Sequence, residues 1–145
     1  LPNADTDGRA LINLLEQFAA QNANAHVFAS LGQLRYLSCM ANVDGVVGNS
    51  SSGIIEAPSF GKGTINIGDR QRGRLQAESV INSLPDRQSI SAALSQLYSD
   101  DFQSHLSRVL NPYGDGGANE RILQTLKIIA LDDLLKKPFY RVPSA

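Results

Sequence analysis

Residues 44–68 read "DGVVGNSSSGIIEAPSFGKGTINIG", and this stretch decides the fold. "DGVVGN" (44–49) is short, β-branched and bounded by glycines, as a buried strand is, and "GTINIG" (63–68) repeats the pattern. Between them a helix starting near Ser51 has room for about two turns before Pro58, whose ring and missing N–H stop it. Strand, short helix, strand is the unit of a parallel sheet. Placing three serines and a glycine where the first strand runs into the helix gathers backbone N–H and hydroxyl groups at one point in space, which suits an anion.

Working outward, Leu11, Leu14, Leu15, Phe18 and Ala19 recur at helical spacing over residues 7–21. "AHVFAS" (25–30) reads as another strand, and Leu31, Leu34, Leu37 and Met40 as a second amphipathic helix. Downstream, "ESVINS" (78–83) reads as a further strand. Helices follow around Ile90 to Leu97 and from Ser99 to Leu110, then the break "NPYGDGG" (111–117). A last helix runs from near Asn119 and fades at Pro138, with residues 136–145 as a loose tail. Strands alternating with helices predict an α/β fold, a Rossmann-like parallel sheet with flanking helices. At 145 residues the chain is one domain's worth. It opens on the turn-like "LPNADTDGR" without an initiator Met and reads as a piece of something longer.

The formal net charge of −1 speaks against a protein devoted to nucleic acid, which would carry a basic excess. No stretch approaches the roughly 20 apolar residues that span a bilayer. The single cysteine, Cys39, rules out an intrachain disulfide and points to the cytoplasm. It lies in an apolar run and reads as a packed helix residue rather than a reactive thiol. His26 and His105 lack metal-ligand spacing, so no metal and no cofactor is expected.

In open α/β sheets ligands bind beyond the carboxyl ends of the strands, and "GNSSSG" falls at such a loop. Gly48 would let the chain turn, and Gly53 would let a ligand or neighbouring backbone come close. Ser50 and Ser51 could each offer a hydroxyl to a phosphate; a serine cap, the alternative, accounts for one serine and not three. Glu56 falls on the short helix, where an ionised carboxylate would accept two hydrogen bonds from a vicinal diol or else stay solvated. "GDRQRGR" (68–74) then puts three arginines after the next strand, and Arg70 could complete the anion site.

The stretch "VVGNSSSGIIEAPSFGKGTINIGDRQRGRLQAESVI" (46–81), together with "LPNAD" at the start and "YGDGGANERI" (113–122), resembles the UDP-N-acetylglucosamine 2-epimerase family, closest to its hydrolysing, sialic-acid-pathway branch. The resemblance implies the C-terminal half of a glycosyltransferase-B-like fold, truncated at its N-terminal edge, that holds UDP or UDP-N-acetylglucosamine in a cleft against an N-terminal domain. It also implies that Ser50 and Ser51 hold the diphosphate, that Glu56 takes the ribose hydroxyls and Arg70 lies by the nucleotide. The backbone around Leu31 would face the uracil, and Asn3 would lie near the ligand. Gln71 and Arg74 match the motif without an assigned contact, and Gly63 stands where the family pattern has Pro. The family's acid and base carboxylates belong to segments outside this chain, so no catalytic residue is expected here and the chain alone should be inactive.

The resemblance further implies two strands upstream of "PNAD", lying between "AHVFAS" and "GVVGN". Without them, the remaining strands would pair directly or the edge would pair with a second copy, making a homo-oligomer. The competing readings are the non-hydrolysing epimerase branch, a glycosyltransferase of the same fold, and a non-catalytic interaction module that would not bind UDP.

Overall fold

The structure, a computed structural model, describes residues 8–130. They fall into two units, one ending at Tyr113 and one starting at Gly114. In chain order the first holds α1 (Gly8–Gln21), α2 (Gly32–Asn42), β1 (Gly45–Gly48), α3 (Ser51–Ile55), a 3-10 turn (Ala57–Phe60), β2 (Gly63–Ile67), β3 (Val80–Ser83), α4 (Arg87–Leu97) and α5 (Asp100–Leu106). The second holds α6 (Ala118–Ile128).

The three strands form a parallel sheet in the order β1-β2-β3, with Val47 opposite Ile65 and Ile65 opposite Ile81. Central β2 is buried from Gly63 to Asn66, as a parallel strand covered on both faces must be. Side chains alternate across a strand, so Thr64 and Ile65 face opposite layers. Thr64 meets α3, its Oγ1 donating to the Gly53 carbonyl at 2.7 Å. Ile65 joins Ile81, Ala93 and Leu97 in the core under α4, with Ile67 and Phe102 packed against it. The chain is thus an α/β fold, a Rossmann-like parallel sheet with flanking helices.

Two glycines set how closely α4 approaches. Gly45 and Gly63 are cross-strand partners, and their bare backbones form a slot for the Leu97 side chain. A Cβ on Gly63 would lie 2.3 Å from Leu97 Cδ1 and 2.8 Å from Phe102 Cε1, which accounts for glycine at this position.

Four expectations are corrected. Residues 25–30 form no strand: His26, Val27 and Phe28 run as irregular chain between α1 and α2. Short apolar runs become strands only where a ladder partner takes up their N–H and C=O groups, and none of the described strands lies alongside. Direct pairing of this stretch with β1 therefore does not occur. Cys39 is exposed rather than packed, because α2 turns Met40 inward and leaves the preceding residue about 100° round the helix. α6 ends at Ile128, since Ile129 already takes the extended backbone (φ −67°, ψ 131°), and Pro138 lies outside the described residues. α5 is likewise shorter than expected, stopping at Leu106. Asn3 and the tail at 136–145 lie outside the described residues.

Candidate functional site

β1 delivers the chain to the serine loop. Gly48 ends the strand at φ 150°, a backbone few side chains adopt, which turns Asn49 and Ser50 out of the sheet. Ser50 then caps α3, its Oγ accepting from the Ser52 N–H at 3.3 Å. That bond uses one lone pair and leaves the Ser50 proton to donate. Ser51, the first helical residue, is half-buried and its hydroxyl makes no hydrogen bond with a described residue. The loop is tied from the far side: buried Gln71, in the turn after β2, donates its Nε2 to the Asn49 carbonyl at 2.7 Å. Gln71 thus has a contact that its sequence motif did not supply.

Arg70, beside Gln71, is exposed and makes no ion pair with a described residue. Gly53 does allow a close approach, but what approaches is the sheet: a Cβ there would lie 2.6 Å from Thr64 Cγ2. Its bare backbone lets α3 pack closely on β2.

Glu56 caps the C-terminal end of α3. It lines a cleft of about 600 Å³ with Phe28, Ser30, Leu31, Gly32, Gln33 and Tyr36. The loop that bounds the cleft is shaped by Gly32 at φ 65°, whose N–H is accepted by Ser30 Oγ at 3.2 Å. Two of the expected site residues, Leu31 and Glu56, therefore share one cleft. Ser50, Ser51 and Arg70 do not line it; the serines sit at the start of α3, about one and a half helical turns before Glu56 at its end. Aromatic and aliphatic walls with a single carboxylate suit a flat ring joined to a hydroxylated sugar. Among the described residues no three His, Cys, Asp or Glu side chains gather as a metal site would need.

Sequence reasoning passed over Tyr36 and Ser52. Tyr36 Oη lies 2.5 Å from Ser52 Oγ, and Ser52 Oγ donates to Glu56 Oε2. Half of this was available, since Ser52 and Glu56 stand four apart and share a helix face. Tyr36 comes from another helix, and no spacing reveals it.

A second polar hollow of about 400 Å³ lies at the carboxyl ends of β2 and β3, lined by Asn66, Gly68, Asp69, Arg72, Gly73, Arg74, Gln76 and Asn82. Its amides bond one another: Asn66 Nδ2 donates to Asn82 Oδ1 and Asn82 Nδ2 to Gln76 Oε1, both at 2.8 Å. His105 pairs with Glu78 at 2.7 Å in the open, away from both hollows' lining. No helix of the described residues is long and apolar enough to cross a membrane.

Comparison with known proteins adds the family. The profile described as UDP-N-acetylglucosamine 2-epimerase matches residues 1–127. The chain is 39% identical over 139 residues to a GDP/UDP-N,N'-diacetylbacillosamine 2-epimerase (hydrolyzing) of Campylobacter jejuni, covering 94% of this chain and 36% of that protein. It is 33% identical over 130 residues to a UDP-N,N'-diacetylbacillosamine 2-epimerase (hydrolyzing) of Legionella pneumophila, covering 90% of this chain and 33% of the relative. It is 33% identical over 147 aligned residues to the Polysialic acid biosynthesis protein P7 of Escherichia coli, covering 97% of this chain and 36% of the relative. The chain spans about a third of the length of these relatives. With the profile matched over most of its length, the chain belongs to the UDP-N-acetylglucosamine 2-epimerase family.

Proposed function

We propose that this chain is the UDP-holding part of a hydrolysing UDP-N-acetylglucosamine 2-epimerase, an enzyme that converts UDP-N-acetylglucosamine to N-acetylmannosamine and UDP. The observation that carries the reading is the shared cleft: Leu31 and Glu56, assigned to uracil and ribose, line the same hollow beside an aromatic ring. In this reading Ser50 and Ser51 hold the diphosphate at the start of α3 and Arg70 swings in to add charge-assisted bonds. Asn3 lies near the ligand. Gly48 gives the serine loop its turn. The reacting carbons meet acid and base carboxylates of the partner N-terminal domain, so the 145-residue chain binds without turning over.

The names of the Campylobacter and Legionella relatives support hydrolysis over the non-hydrolysing branch, and they favour a second reading of the substrate, UDP-N,N'-diacetylbacillosamine. The name of the Escherichia coli relative supports a role in sialic acid or a related surface sugar. A cytoplasmic location belongs to the same proposal, as does assembly into a homo-oligomer.

Calorimetric titration of the chain with UDP tests it, alongside Ser51→Ala and Glu56→Ala. Saturable binding that weakens in both variants is expected; a folded chain that ignores UDP would sink the reading. Product analysis of the full-length parent given each nucleotide sugar decides the substrate and the branch.

A further inference from the structure

Glu56 enters the cleft already restrained. Ser52, one turn earlier on α3, donates its only hydroxyl proton to Glu56 Oε2. With that proton committed, the close Tyr36–Ser52 contact of 2.5 Å has one possible direction: the phenol donates and Ser52 Oγ accepts. The chain of donors thus runs from Tyr36 through Ser52 to Glu56, linking α2 to α3 across residues that are all half-buried. Tyr36 and Glu56 both line the cleft wall, so the relay ends where a ligand would sit.

A glutamate side chain has three rotatable bonds, and holding one orientation has an entropic cost that the ligand would otherwise have to meet on binding. Here the relay fixes Oε2, while Oε1 forms no hydrogen bond with a described residue and remains an acceptor. We propose that Tyr36 and Ser52 are positioning residues for Glu56, holding its carboxylate so that the cleft selects a nucleotide with a ribose diol over its 2′-deoxy counterpart. This rests on the reading of the cleft as a uridine nucleotide site, and it deepens that reading by naming what sets sugar specificity.

The experiment compares the affinities of UDP and 2′-deoxy-UDP for the chain and its variants. Wild type is expected to prefer UDP, and Tyr36→Phe or Ser52→Ala to shrink that preference by roughly three- to tenfold, the loss of one hydrogen bond's worth of orientation. Ser52→Thr, which keeps the hydroxyl, is expected to restore it, and Glu56→Gln to remove it. A purely structural role for Tyr36 would lower both affinities together and leave their ratio unchanged, which would overturn the proposal.

The outcomes separate the two claims. Failure of wild type to bind UDP removes the parent reading and this proposal with it, whereas UDP binding without discrimination between the two nucleotides overturns this proposal alone. Discrimination that needs Glu56 but survives Tyr36→Phe and Ser52→Ala overturns the positioning role alone. A ligand-free check uses the double mutant: in a relay, Tyr36→Phe adds nothing to the loss of unfolding midpoint already caused by Ser52→Ala. Additive losses overturn it.

Discussion

Leu97 and Leu14 sit on helices of similar apolar spacing, yet Leu97 is 2% exposed and Leu14 is 62% exposed. α4, which carries Leu97, lies over the β2–β3 half of the sheet and its leucine fills the slot between Gly45 and Gly63. On α1 the whole apolar face of Leu11, Leu14, Leu15 and Phe18 is open among the described residues. The same division runs through the sheet. β2 has a ladder partner on each side and is buried along most of its length, whereas β1 has one partner and leaves Val47 exposed. Periodicity states which face of an element wants cover. Whether cover is there depends on what else the chain brings alongside, and that is a tertiary fact.

The comparison breaks most sharply at Leu97. Leu97→Ala removes a fully enclosed side chain from a slot with backbone walls that cannot collapse inward, so a loss of about 2–5 kcal/mol is expected in chemical denaturation. A loss under about 1 kcal/mol would mean that α4 and the sheet are not packed as described. Filling the slot from below comes next. Gly63→Ala pushes a methyl group against both Leu97 and Phe102, and with Leu97 wedged over Gly45 as well, the expected cost is about 1–3 kcal/mol. Leu14→Ser should change stability by no more than about 0.5 kcal/mol, because that side chain makes little buried contact to lose. A large loss there would show that α1 is covered in solution, and would make the two halves alike.

Much of the fold was legible. β1, the short α3 ending before Pro58, and β2 follow from β-branched runs bounded by glycines and from a proline that stops a helix, all local effects. "AHVFAS" was misread for the reason β1 is half-exposed: an apolar hexamer is a strand only beside another strand. Cys39 was misplaced because its neighbour Met40 takes the inward direction, and the phase of a short helix is set by packing. Gly45 and Gly63 were read as strand ends, and their bare backbones also admit Leu97; Gly53 was read as room for a ligand or neighbouring backbone, and there the Thr64 side chain of β2 comes close. In the candidate site, Leu31 and Glu56 converge on one cleft. The Tyr36 arm of the relay stayed hidden because it joins two helices that no spacing rule connects.

The smallest effect sharpens the comparison at the helix starts. α2 begins at Leu31, which offers no capping side chain. α4 begins at Asp86, which accepts from the Ser89 N–H and the Ser89 hydroxyl, both at 2.8 Å. The Ser89 backbone bond, with the Ser89 hydroxyl and the Gln88 N–H, holds the Asp86 carboxyl below its ordinary value, against a small opposing effect of burial. A carboxylate favoured in the folded state stabilises fully above its unfolded value and loses that contribution as pH falls through the lower folded one. The well-packed helix therefore also carries a cap whose strength depends on pH. Asp86→Asn keeps a capping oxygen but removes the titration. The variant is expected to lie slightly below wild type at neutral pH, to converge with it on acidification, and so to show a shallower fall of the unfolding midpoint. Superimposable acid limbs would mean that the cap contributes nothing that depends on its charge, and that packing alone separates α4 from α2.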